Sequence, residues 1–218
     1  MSNITHVLQV IRDKLHQGIE LFTDSCFGHF LKLKTISFCS GVVHHMLMRQ
    51  LTCDDKNVME FEFNGVGARF DRKAFAMVTG LNCGKFPSFH ALSALTDDLW
   101  AKYFGEAQGP LTQHEFQKKF EAIKFTYDNA DHIADNVKLC MFYFLEMALL
   151  PGDKKRVVKD DNLKIIGNAE LCATHPWGNL VYDMTIASLR SKIQPGKQVA
   201  YTLYGFPLAF QVFNDQCI

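Results

Sequence analysis

The chain carries no excess of either charge. Its 218 residues include 23 Lys and Arg against 23 Asp and Glu, which removes the global field that draws proteins to nucleic acid or anionic lipid and leaves only local patches. It also lacks a long apolar run. The longest, Leu139 to Leu150, is interrupted by Glu146 and falls short of the ~20 residues that span a bilayer, so no membrane segment is expected. No charged, apolar and small-residue leader opens the chain, because Met1 to Thr5 run straight into an amphipathic segment. Seven cysteines, an odd number at irregular spacing, do not make a disulfide framework, and a reducing intracellular setting is expected. Missing too are a Ser-His-Asp signature, a phosphate-cradling glycine loop and a paired-carboxylate motif, so neither catalytic residues nor a cofactor is indicated. Internal repeats and low-complexity tracts are absent.

What is present is core. Hydrophobic residues make up 48% and charged residues 21% of the chain, far from the composition of disorder. The 19 phenylalanines each bury a large surface without needing a hydrogen-bond partner, which implies a dense aromatic interior. The length suits one domain over residues 1–218.

Ile4, Val7, Leu8, Ile11, Leu15, Ile19 and Phe22 fall at helical spacing and predict one amphipathic helix. A second apolar segment runs from Val42 to Leu51. The period then drops to 2. Met59, Phe61 and Phe63 alternate with Glu60 and Glu62 before Asn64-Gly65, and Val66, Ala68 and Phe70 follow, predicting a hairpin over 58–70 with Phe63 opposite Val66 and Glu60 opposite Arg69. Asp71 is placed to cap a helix that Gly80 ends, and Thr96 or Asp97 to cap another holding Leu99, Trp100 and Phe104. Thr112 to Glu115 reads as a capping box. The apolar residues from Ile133 to Ala148 cover most of a helix circumference, so the helix at about 129–149 is expected to be surrounded by others. Leu163 to Leu171 predicts a short helix, Pro176-Trp177 a helix start, and Val199, Tyr201 and Leu203 a strand. Gly205-Phe206-Pro207 turns the chain into a last apolar segment ending near Phe213. The class is therefore α+β and predominantly helical, with about seven or eight helices and a small hairpin.

Four soft ligands, Cys26, His29, Cys39 and His44, lie close enough in sequence to raise zinc. Only Cys26-x2-His29 resembles a metal knuckle, whereas Cys39 and His44 border an apolar helix, so buried thiols and ordinary histidines are the preferred reading. Cys83 follows a helix C-terminus, where the dipole opposes thiolate formation, and is not read as a nucleophile. Lys154, Lys155, Arg156 and Lys159 could touch phosphates, but Asp153, Asp160 and Asp161 flank them and a solvated loop is the simpler account. Trp177, Gly178, Gly80, Gly205 and Pro207 are read as structural.

Taken in order, Phe27-Gly28-His29-Phe30, the strand-turn segment Phe61 to Phe70, the run Phe75 to Gly84, His175-Pro176-Trp177-Gly178 and the ending Tyr201 to Phe213 resemble a plant family, domain of unknown function 1985. More distantly, the hairpin followed by a Phe-bearing helix ending in Gly-Leu is similar to the plant mobile domain. The resemblance implies an accessory domain of transposon-derived proteins, nuclear or cytoplasmic, found ahead of SUMO-protease-like domains. No segment here offers the protease's catalytic residues, so that activity is not carried over. The expected function is a non-catalytic interaction or regulatory domain that binds another protein, with nucleic-acid binding as the alternative and an unrecognised enzyme behind it.

Overall fold

The structure, a computed structural model, describes residues 4–33, 38–63, 65–96, 98–105, 110–191 and 202–217. In chain order these form α1 (Ile4–Lys14), α2 (Ile19–Thr23), a 3₁₀ turn (Gly28–Lys32), α3 (Ser40–Leu47), β1 (Met59–Phe63), β2 (Val66–Phe70), α4 (Arg72–Thr79), α5 (Phe89–Ser93), α6 (Asp98–Phe104) and α7 (Gln113–Ala122). They continue with α8 (Ala130–Phe144), a π turn (Leu145–Leu149), α9 (Asp160–Gly167), α10 (Ala169–Thr174), α11 (Trp177–Ser191) and α12 (Pro207–Cys217). The α+β, mainly helical class is the one expected, although short helices make the segments more numerous than seven or eight. Two compact units share the chain, one gathering 35–84 with 176–218 and the other 2–34 with 85–175.

The second unit is organised by α8. Asn129 starts it by accepting a hydrogen bond from the His132 N–H at 2.8 Å, the side-chain cap that an unsatisfied first turn calls for. From Asn136 to Phe144 every residue but Lys138 is buried. Helices α1, α2, α7 and α9 pack against it, so the nearly all-round apolar pattern has its predicted cause. Phenylalanines fill the joints. Phe144 meets Phe22, Phe27 and Phe30 with ring centroids 6.3, 5.7 and 5.1 Å away, while Tyr143 stacks on Phe120 at 4.1 Å. The capping box of α7 forms as read, Thr112 and Glu115 satisfying each other's backbone.

Two helical readings are corrected in this unit. The continuous apolar pattern from Ile4 to Phe22 is broken between α1 and α2, where Gly18 takes φ +89° and approaches α8 so closely that a Cβ would lie 2.9 Å from methyls of Ile133 and Val137. Periodicity does not register such a break, because both halves present the same face. The helix predicted over Leu163 to Leu171 is likewise two. Asn168 leaves the helical region (φ −97°, ψ 109°) and caps α10 by accepting from the Leu171 N–H.

The first unit is built on the hairpin, whose register pairs Met59 with Phe70, Glu60 with Arg69, Phe61 with Ala68 and Phe63 with Val66, as the alternation predicts. Asn64 lies outside the described residues, and Gly65 has the positive φ of 84° that a tight turn requires. Residues 49–51 extend along the other edge of β1, Leu51 N–H donating to Glu60 O and Glu62 N–H to Arg49 O. The buried rings of Phe61 and Phe70 face Phe210, and Phe70 also meets Phe75, Tyr182 and Phe213. Asp71 caps α4 through the Ala74 N–H at 2.9 Å. Of the predicted strand near 199–203, Val199 and Tyr201 lie outside the described residues, and Leu203 belongs to no strand. In the second unit, the Thr96 hydroxyl binds Asp98 at 2.7 Å ahead of α6, and Asp97 lies outside the described residues.

Trp177 opens α11 with 1% of its surface exposed. Its replacement by alanine is expected to cost about 3–5 kcal/mol through the cavity left behind, measured by denaturant unfolding. An unchanged midpoint would show that the indole contributes no packing.

Candidate functional site

The apolar run interrupted by Glu146 folds into a polar cluster inside the second unit. Glu146 is 0% exposed and lies in the π turn that continues α8. Arg156 Nη1 donates to Glu146 Oε2 at 2.6 Å and Asn162 Nδ2 to Oε1 at 2.9 Å. Widening the helix to π geometry also changes the backbone. Leu150 N–H reaches back to Leu145 O at 2.8 Å, and Gln113 Nε2 donates to Glu146 O (2.6 Å) and Leu150 O (3.2 Å). Gly152 N–H donates to Gln113 Oε1. Burial pushes the Glu146 carboxyl above its ordinary pKa, and the Arg156 guanidinium, the Asn162 amide and Lys159 oppose it.

This arrangement divides the basic loop. Lys154, Lys155 and Lys159 are exposed, but Arg156 turns inward to Glu146 with only 21% of its side chain exposed, so it does not join them in presenting positive charge.

A groove of about 490 Å³ opens in the same unit between α6, α8 and α9. Leu95, Leu99, Trp100 and Leu163 supply its apolar wall, and Lys102, Lys138 and Lys164 reach it from three different helices. Trp100 is half-buried, held by Phe104 and Phe142 at 5.0 and 6.3 Å between centroids. Lys102 is paired with Asp135 at 2.7 Å, a hydrogen bond that raises its pKa. Lys164 reaches Asp160 at 3.0 Å and Asp161 at 3.4 Å. Lys138, half-buried on α8, makes no ion pair among the described residues. Asp98 and Asp135 also line the groove, so its field is mixed.

The zinc candidates have other surroundings. Cys26 Sγ lies 3.9 Å from Cys172 Sγ, and the His29 ring packs at 4.3 Å from that of Phe30. Cys39 donates its backbone N–H to Gln211 Oε1 at 2.7 Å, and His44 lies exposed on α3. Among the described residues no three His, Cys, Asp or Glu side chains gather to hold a metal ion. Burial raises the Cys83 pKa, with Arg72 opposing.

Two of the residues read as structural, Gly178 and Gly205, sit at close approaches. Gly178 donates its N–H to Asn82 O at 2.8 Å, and a Cβ there would lie 2.4 Å from Cys83 Sγ. Gly80 ends α4 in the left-handed region at φ 70°. Gly205 has φ +73° beside Thr185, whose Oγ1 a Cβ would meet at 2.5 Å, and Pro207 begins α12.

These features define a helical α+β protein with a mixed apolar and charged groove and a buried ion pair that serves the fold. The chain belongs to the family described as Domain of unknown function (DUF1985), whose profile matches residues 47–188. The matched region includes the hairpin, the groove helices, Glu146 and Trp177. No curated protein and no solved structure matches the chain. No described helix is long and apolar enough to cross a membrane.

Arg156→Ala is expected to destabilise the protein by about 3–5 kcal/mol at pH 8, because it leaves a buried carboxylate unpaired. Losing the guanidinium raises the Glu146 pKa further above its unfolded value. Such a group favours folding below the unfolded pKa and loses that contribution as pH rises through the folded one. The deficit should therefore be smaller at pH 5 than at pH 8 in denaturant titrations, and adding Glu146→Gln should flatten this pH dependence.

Proposed function

We propose that the chain is a non-catalytic interaction domain, and that the groove between α6, α8 and α9 takes a short segment of another protein. The supporting observation is the meeting of Trp100 and three leucines with lysines from three helices. Aromatic and aliphatic side chains in a recess are the usual anchors of protein recognition, and surrounding charges select the partner and speed its arrival. The complementary segment carries one or two large apolar side chains flanked by Asp or Glu. Within a plant, transposon-derived family that places this domain ahead of SUMO-protease-like domains, in the nucleus or cytoplasm, its role is to choose which protein is brought near. Single-stranded nucleic acid also stacks on aromatics beside lysines, but a phosphate backbone needs several cationic contacts, and Lys102 and Lys164 already hold carboxylates.

Display of a random peptide library against the full chain tests the reading. Enriched sequences are expected to combine Leu, Phe or Trp with acidic residues, and Lys138→Glu should weaken them about five-fold, roughly 1 kcal/mol, at unchanged melting temperature. Enrichment without acidic residues, insensitivity to Lys138→Glu, or preference for single-stranded oligonucleotides with steep salt dependence would each overturn it.

A further inference from the structure

Cys26 and Cys172 stand 146 positions apart in sequence, yet their sulfurs approach to 3.9 Å within the second unit. We infer that this pair is a reversible redox site, oxidised to an intramolecular disulfide by a peroxide and restored by a dithiol reductant. It is independent of the proposed groove.

The backbone holds both thiols in place. Cys26 lies in the turn between α2 and the 3₁₀ turn. Gly28 N–H donates to Ser25 O at 3.0 Å, the Ser25 hydroxyl donates to Phe22 O at 2.6 Å, and the Phe27 N–H donates to that hydroxyl at 3.3 Å. Gly28 packs so tightly that a Cβ would fall 1.9 Å from Thr23 O. On the other side, Cys172 sits in α10, its N–H bound to Asn168 O at 2.8 Å. Two sulfurs held this way need to close from 3.9 Å to the ~2.05 Å of a disulfide, a change that side-chain rotation and small local shifts can supply.

Exposure sets the order of events. Cys26 is half-buried, whereas Cys172 is 3% exposed, so the oxidant meets Cys26 first. Its thiolate attacks a peroxide oxygen, an S–O bond forms as the O–O bond breaks, and the departing hydroxide takes up a proton as water. The Cys172 thiolate then attacks the sulfenic sulfur. An S–S bond forms, the S–O bond breaks, and a second water leaves. Two thiols lose two electrons, and one hydrogen peroxide becomes two waters.

The test treats the reduced full chain with hydrogen peroxide and maps its peptides without reduction. The expected result is a linked pair of peptides carrying Cys26 and Cys172, about 2 Da lighter than the two thiols together. Because the closed loop is long, the melting midpoint should rise by roughly 10 °C and return with dithiothreitol. In Cys172→Ser, peroxide should instead leave a sulfenic acid on Cys26 that a dimedone-type reagent traps. Wild-type protein that gives no linkage between these two residues, or that links other cysteines preferentially, overturns the inference. So does the same peroxide-induced rise in melting midpoint in Cys26→Ser.

Discussion

A carboxylate without solvent contact has to be neutralised or matched, and in the second unit the matching of Glu146 organises four separate parts of the chain. The π turn after α8 widens the backbone, leaving the carbonyls of Glu146 and Leu150 in need of a donor, and Gln113 at the start of α7 supplies it. The carboxylate draws Arg156 inward from the loop after Pro151 and Asn162 from the first turns of α9. Each partner is itself anchored. Gln113 N–H donates to Arg156 O at 2.7 Å, and Val158 N–H to Leu111 O at 2.9 Å, so loop and helix start are tied by backbone as well as by charge. A buried pair of this kind contributes little net stability over an apolar replacement, but removing one member is costly. Its effect is therefore to penalise arrangements in which α7, α9 or the loop is displaced.

The proposed groove inherits this order. Leu163 and Lys164, on one of its walls, follow Asn162 directly, so the hydrogen bond that fixes Asn162 to Glu146 also sets how α9 faces α6 and α8. Lys102 and Asp135 link α6 to α8 across the groove at 2.7 Å, an exposed contact of small energetic value. The rigid reference is the ion pair inside the fold and not the one on its surface.

How far the sequence discloses this depends on the distance between the interacting residues. The hairpin register was legible because an alternating pattern and a two-residue turn lie within a dozen positions, and the Thr112 capping box and the Asp71 cap because each is complete within four. Helix α8 could be read as surrounded from its own circumference. The divisions at Gly18 and Asn168 were not legible by periodicity. One depends on methyls of Ile133 and Val137 more than a hundred positions away, and the other on a local cap that competes with an otherwise helical pattern. The groove left no signal because its residues come from short runs between Ala94 and Asn168, each ordinary by itself. The contact of Cys26 with Cys172 is longer in range still.

Glu146 shows why a correct observation about sequence can carry the wrong weight. As an interruption it served to exclude a membrane span. In the fold the same residue decides the fate of Arg156, whose place among four basic residues suggested a phosphate site. A guanidinium 2.6 Å from a buried carboxylate is already committed, and releasing it to a phosphate would strand that carboxylate in an apolar interior. Recognition by the loop is thus opposed by the stability of α8 itself. Positive charge that can meet a partner without disturbing the core must come from side chains the core does not use, and Lys138, on α8 yet facing the groove, meets that condition.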